Sequence, residues 1–141
     1  MPSIRAVALA VVRQENRVLL AEHAIDGRRF YRPAGGSIDP GERAIEAARR
    51  EITEELGIAP QQFRLLGVLE NIFTIQGELG HEVVFTFEAD WPMEVECAEV
   101  VMGEESDGSS FECRWHRIAD LAELAHPLYP EGLLELLTQS G

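Results

Sequence analysis

The 141-residue sequence predicts an α/β domain: a mixed β-sheet covered on both faces by helices. Three observations predict it. Apolar stretches rich in Val, Leu, Ile and Phe come in pairs separated by polar or glycine-containing turns, which is how strands read. One segment in the first half carries apolar residues three and four apart, the helical period. The resulting order of strands, helix, strands, helix puts helical cover on either side of one sheet. The length suits a single domain, residues 1–141, with a sizeable core, and is too short for two ordinary ones.

Taken in order, residues 4–13 and 17–24 are apolar runs around the polar turn Gln14-Glu15-Asn16 and read as a hairpin. Residues 28–36, "RRFYRPAGG", read as a short strand ending in a Pro/Gly break. Glu42 to Leu56 reads as a helix, with Ile45, Ala48, Ile52 and Leu56 on one face and Gly57 as its C-terminal stop. Residues 63–75 and 81–89 read as two strands joined across Gly77–Gly80. Residues 92–110, acidic and containing Gly and Ser, read as an exposed loop or an irregular hairpin. A late strand over 111–118 follows, then a short helix over 119–124 and a terminal one over 130–139, divided by Pro127 and Pro130.

A net charge of −13 argues against a nucleic-acid polymer or an anionic membrane as partner, because phosphate surfaces recruit basic patches. All twelve basic residues are Arg. No apolar run approaches the roughly 20 residues of a membrane span. The N-terminal "MPSIRAVALAVV" alternates like a strand and lacks a basic leader region, so a cytoplasmic location is expected. Cys97 and Cys113 have no metal-site spacing and read as buried thiols. The terminal "LYPEGLLELL" offers an apolar stripe that packs on its own sheet or on a second copy.

The helix poses the chemical question. Successive residues turn by about 100°, so Glu51, Glu54 and Glu55 form one patch, expected to face solvent opposite the Ile45/Ile52 stripe. Such carboxylates repel by a few tenths of a kcal/mol per pair unless a cation sits among them. Acceptor-only oxygens suit hard divalent ions such as Mg²⁺ or Mn²⁺. Arg49 and Arg50 offset part of the charge, and Arg50 is placed to orient a neighbouring carboxylate through a bidentate pair. Gly35, Gly36 and Gly41 ahead of the helix allow tight turns and an exposed carbonyl that a solvated surface helix would not need.

Gly36, five residues, Glu42, seven residues, then "REITEELGI" from Arg50 to Ile58 resembles the complete Nudix box, Gx5Ex7REUxEExGU with U aliphatic. The late "RWHRIADL" is similar to that family's tryptophan-strand-then-helix segment. The resemblance implies an α/β/α sandwich and Mg²⁺- or Mn²⁺-dependent hydrolysis of a pyrophosphate link in a small nucleoside diphosphate-X substrate. It implies that Glu54 and Glu55 are metal ligands, that Glu51 is a ligand or the general base, and that the Gly36 carbonyl touches the metal. Arg50 would orient a carboxylate, Glu42 would pair within the box, and Gly57 would end the helix. A late-loop acid would complete the metal site, with Glu105 chosen over Glu104, Asp107 and Glu112. One of Arg28, Arg29 and Arg32 would meet a substrate phosphate, with Arg32 the choice. A homodimer is a further expectation of the likeness, and a non-catalytic nucleotide-sensing domain is the alternative to an enzyme.

Features that mark substrate branches in the family are missing here. There is no Pro some fifteen residues past the box, no Tyr in that region, and "LLAEHA" departs from the Leu-Leu-Thr-x-Arg element of coenzyme A types. Glu70, Asn71, Phe73, Gly77, His81 and Glu82 match an "EN-x-F…G…HE" stretch of some members. Glu70 and His81 are candidate substrate contacts, or else solvated residues beside a turn. Phe73, Phe85 and Phe87 are read as core packing rather than a stacking surface.

Overall fold

The computed structural model describes residues 3–139. In chain order it runs β1 (Ile4–Gln14), β2 (Arg17–Ile25), β3 (Arg28–Arg32), β4 (Ala34–Ser37), α1 (Ala44–Leu56), β5 (Gln61–Ile75), β6 (Glu78–Asp90), β7 (Val100–Glu104), β8 (Ser110–Arg117), a 3₁₀ helix (Ile118–Glu123) and α2 (Leu133–Gln139). The sheet order is β5-β6-β1-β2-β8-β7, with α1 against one face and the 3₁₀ helix and α2 against the other. The mixed, doubly covered sheet expected from the sequence is therefore present.

Three departures from the sequence reading matter for the site. First, β1 and β2 pair only at Arg13↔Val18 and Gln14↔Arg17, then part. Into the gap run β4, against β1, and β3, against β2. The segment read as one strand is two because Pro33, which has no N–H to donate, interrupts the ladder. Second, β5 begins at Gln61, with register shifts between Gln61 and Arg64 and between Leu65 and Gly67, and its turn is Gln76–Gly77 rather than Gly77–Gly80. Third, the segment over 92–110, read as an exposed loop or an irregular hairpin, carries a regular strand, β7, which forms a hairpin with β8 across the turn beginning at Glu105.

β1 runs parallel to β6 from Ile4↔His81 to Arg13↔Asp90 and is buried continuously from Val7 to Val12. That is the pattern of a central strand covered on both faces. Ala8, Ala10, Leu19, Ala21, Ala48, Ile52 and Phe87 form the core under α1. Val11, Val18, Leu20, Leu121, Leu133 and Leu137 form the one under α2. The apolar C-terminal stripe thus packs on its own sheet. Phe87 is buried, Phe85 packs beside it and Phe73 covers Gly80, so these rings are packing groups as expected. Cys113 is buried, but Cys97 is only half-buried, which corrects that reading. Among the described residues, no helix is long and apolar enough to cross a membrane.

Candidate active site

The site forms where α1 lies across β4. A Cβ at Gly36 would sit 2.7–2.8 Å from the Glu51 carboxyl atoms, so only glycine lets that carboxylate rest on the strand. Gly35 has φ +149°, and a Cβ there would overlap Ala8 and Leu9 of β1. Its N–H donates to Glu55 Oε1 at 3.0 Å. The expectation that all three carboxylates face solvent needs correction. Glu55 lies only about 60° around the helix from Ile52 and Glu51 about 100°, so both flank the core stripe and turn toward β4. Glu51 and Glu55 are half-buried, and only Glu54, with 60 % of its side chain exposed, points outward.

Arg50 donates to several carboxylates around the site. Its Nε and Nη2 donate to the two Glu42 oxygens at 2.8 and 3.0 Å, and Nη2 also reaches the Ser37 carbonyl at 3.1 Å. Nη1 donates to Glu51 at 3.0 Å and to Glu54 at 3.4 Å. Glu42 is braced further by the Asp39 N–H at 3.1 Å. The Arg50 fork, then this backbone donor, pull Glu42 down to about 2. The same carboxylates hold Arg50 above its ordinary range. Gly57 ends α1 in the left-handed region, φ +68°, with its N–H on the Thr53 carbonyl, the stop the sequence called for.

Glu55 behaves differently. Burial pushes it up to about 7; the Gly35 N–H works against this, while the negative charges of Glu105 and Glu51 add to it. Glu105 therefore lies close enough to act on Glu55, and on Cys113, whose thiol is pushed up to about 12 mainly by burial. The other late acids are engaged elsewhere or point outward: Asp107 accepts from Ser109, Glu112 pairs with Arg114, and Glu104 is exposed. Arg32 supplies the positive charge facing Glu55, and its Nε is buried without a hydrogen-bond partner among the described residues. Arg29 pairs with Glu22 instead, and Arg28 is exposed.

Glu70 and His81 meet each other across β5–β6, 3.1 Å apart, with Glu70 65 % exposed. No hydrogen bond among the described residues ties them to Glu51, Glu54 or Glu55. Sequence reasoning missed a different group, His23, Phe30, Phe111 and Tyr129, whose rings line up beside Arg32. They come from four separate segments, and only strand pairing brings them together.

Among the described residues, no three His, Cys, Asp or Glu side chains converge closely enough to hold an ion as they stand. The donor chemistry nonetheless fits a hard divalent cation. The acids are carboxylates with no His or thiolate ligand among them. The Gly36 backbone lies bare beside Glu51. Burial, and after it the charges of Glu105 and Glu51, hold Glu55 back from ionising, and a cation beside it would favour the ionised form.

The family model for the NUDIX domain matches residues 2–137, and the chain belongs to that family. Over its whole length it is similar to a MutT NUDIX hydrolase from Burkholderia pseudomallei, with a TM-score of 0.71, 26% identity and 99% of each chain covered. Among curated proteins it is 36% identical over 70 residues to the 8-oxo-dGTP diphosphatase of Escherichia coli (strain K12), covering 48% of this chain and 54% of that protein. It is 38% identical over 55 residues to the phosphatase NudJ of the same strain, covering 38% of this chain and 36% of that one. The chain thus spans about half or less of the curated relatives it matches.

Proposed function

We propose that the domain is a Mg²⁺- or Mn²⁺-dependent hydrolase that cleaves the pyrophosphate link of a small nucleotide, a nucleoside triphosphate or other nucleoside diphosphate-X compound, in the cytoplasm. One observation carries the reading: Glu51 and Glu55 are seated on the bare Gly35–Gly36 strand, with Arg50 clamping the first and Arg32 facing the second. A purely solvated acidic face has no use for that cradle, and a nucleotide sensor has no use for all of Arg50, Glu51, Glu54 and Glu55.

Glu51, Glu54, Glu55, Glu105 and the Gly36 carbonyl would hold the cation. When bound, it would lower the pKa of a water and neutralise charge building on the transferring phosphorus. Arg50 fixes the Glu51 and Glu54 carboxylates so that they are presented rather than sampled. Glu51 serves as a ligand or as the base that takes the attacking water's proton. Arg32, with an unused donor, is suited to a substrate phosphate. Glu70 and His81 stay candidate substrate contacts, reached only if the X moiety extends along β5 and β6. Phosphate release in Mg²⁺, scored over triphosphates, oxidised triphosphates, nucleotide sugars and dinucleotides, tests the reading. No turnover on any of them would overturn it.

Metal should also be visible without turnover. A cation that binds only the folded chain adds RT ln(1 + [L]/Kd), about 2.7 kcal/mol at a hundred times Kd, which is several degrees of melting temperature at this size. Melting curves in EDTA, Mg²⁺ and Mn²⁺ should therefore separate, with a smaller gain in Glu51→Gln. Coincident midpoints at millimolar metal would reduce the carboxylates to a surface feature. A homodimer is retained on the family likeness alone, since Leu133 and Leu137 are buried within the chain. Sedimentation as a particle of about 31 kDa at micromolar concentration is expected, and a 15.7 kDa particle would dispose of the dimer.

A further inference from the structure

An antiparallel strand with one face on a core and the other in solvent alternates apolar inward with polar outward. Strand β5 breaks that rule. Its inward residues serve the side of the sheet under α2: Leu66 and Leu69 pack there, Leu136 closes over Gly67, and Asn71 Oδ1 accepts the Glu131 N–H at 2.9 Å. Its outward residues are largely apolar too. Leu65, Val68 and Ile72 are each half exposed or more, with Ile72 at 63%. Glu70 stands between Val68 and Ile72, but its carboxylate turns aside onto His81 at 3.1 Å.

The register shows how far this apolar surface extends. Val68 stands beside Phe85 and Phe85 beside Ala8; Ile72 stands beside His81 and His81 beside Ile4. Ala8 belongs to the core under α1, so both rows lie on the α1 face of the sheet. Helix α1 packs chiefly on β1 and β4, and it meets β5 near its start, where Arg49 lies over the Phe63 ring. Farther along, Ile4 and Leu79 are more than half exposed and continue the patch. Among the described residues, β6 is the only strand that pairs with β5, so its outer edge is open as well. The five apolar side chains present on the order of 500 Å², near the top of the range for the largest patch on an ordinary monomer.

We propose that a second copy of this chain covers the patch, the β5–β6 face of each copy packing on that of the other about a two-fold axis. The proposal rests on the homodimer reading and gives it an interface; the hydrolase reading is independent of it. Charge selects the partner. Two chains carrying −13 each repel unless they meet through surface without unpaired charge, and this patch, with Glu70 bonded to His81, is such a surface. A nucleic acid or an anionic membrane needs basic groups, and Ile4, Leu65, Val68, Ile72 and Leu79 supply none. A basic partner would go instead to the carboxylates that dominate the rest of the chain. Symmetry adds the remaining requirement. In an isologous contact the same patch serves both sides, so its area counts twice, about 1,000 Å², the extent at which an interface becomes specific.

Sedimentation of the full chain at micromolar concentration tests this. Wild type should run as a particle of about 31 kDa. Val68→Glu and Ile72→Glu place a new carboxylate on both sides of the axis, and each should raise the dimer dissociation constant about a hundredfold or more, moving the particle toward 15.7 kDa. Ile72→Thr keeps the β-branched shape that strands favour and should weaken the dimer about tenfold, so a glutamate that merely unfolds the strand is told apart. Met102→Glu alters a comparably exposed apolar residue on β7, at the other end of the sheet, and should leave the dimer as it is. A 15.7 kDa wild type would overturn the proposal and leave the patch to a different partner. A dimer that the Val68 and Ile72 variants leave intact, or that Met102→Glu weakens equally, would overturn it as well. Failure of the hydrolase reading shows separately, as absent Mg²⁺-dependent turnover by the wild type.

Discussion

Replacing Glu55 with Gln should lower kcat/KM by two or more orders of magnitude while leaving metal-free protein folded and, above neutral pH, more stable than wild type. The two halves of the result share one cause. Glu55 is a half-buried carboxyl with one backbone donor, from Gly35, and two neighbouring negative charges, Glu51 and Glu105. Its pKa rises from an ordinary 4.5 to about 7 on folding. A raised acid pKa means that the folded state holds the proton more tightly than the unfolded one. That stabilisation is complete below pH 4.5 and is lost as pH climbs through 7. Partial exposure screens the effect to about 1–2 kcal/mol. In EDTA, the wild-type melting temperature should therefore decline between pH 5 and pH 8, whereas Glu55→Gln, still able to accept from Gly35, should decline less. Mg²⁺ should restore the wild type and not the variant. A variant with wild-type turnover, or one unfolded in EDTA, would show that the carboxylate is not held there for a cation.

What could be read from the sequence divides along a physical line. The Arg50–Glu42 fork, the Glu51 and Glu54 contacts and the Gly57 stop all lie within one helix and the loop before it. There, angular spacing and backbone conformation are fixed by local rules. Even so, the helical wheel misjudged which carboxylates face solvent. Two of three sit beside the apolar stripe, and only the bare Gly35–Gly36 strand gives them room. The split of β3 from β4 was signalled by Pro33, but the parting of β1 from β2 was not, because both runs are equally apolar. The aromatic row was illegible for a stronger reason. His23, Phe30, Phe111 and Tyr129 share no period, and their alignment depends on three strand registers and on an edge contact made by a segment without regular structure. Glu105 was chosen from four acids by resemblance alone, and only its neighbours Glu55 and Cys113 distinguish it.

Replacing Arg50 with Lys should be the most damaging conservative change in the site, costing about a hundredfold in kcat/KM and several degrees in melting temperature. Lysine keeps the charge but loses the planar fork. In the native chain a single guanidinium meets both Glu42 oxygens, the Ser37 carbonyl, Glu51 and Glu54, with Asp39 at 3.5 Å. One ammonium cannot span that set, so either Glu42 or the Glu51–Glu54 pair goes unneutralised. Losing Glu42 frees the loop from Asp39 to Glu42 that leads into α1; losing Glu51 lets the carboxylate leave its seat over Gly36. The acid side tells the two proteins apart. Glu42 is depressed on folding from 4.5 to about 2 by the Arg50 fork. Its contribution is fully present above pH 4.5 and disappears as pH falls through 2. The melting-temperature gap between wild type and Arg50→Lys should thus be widest near neutrality and close as pH falls from 5 toward 2. A gap that is constant across that range would assign the loss to packing of the arginine stem, and a variant with normal turnover would remove Arg50 from the catalytic arrangement.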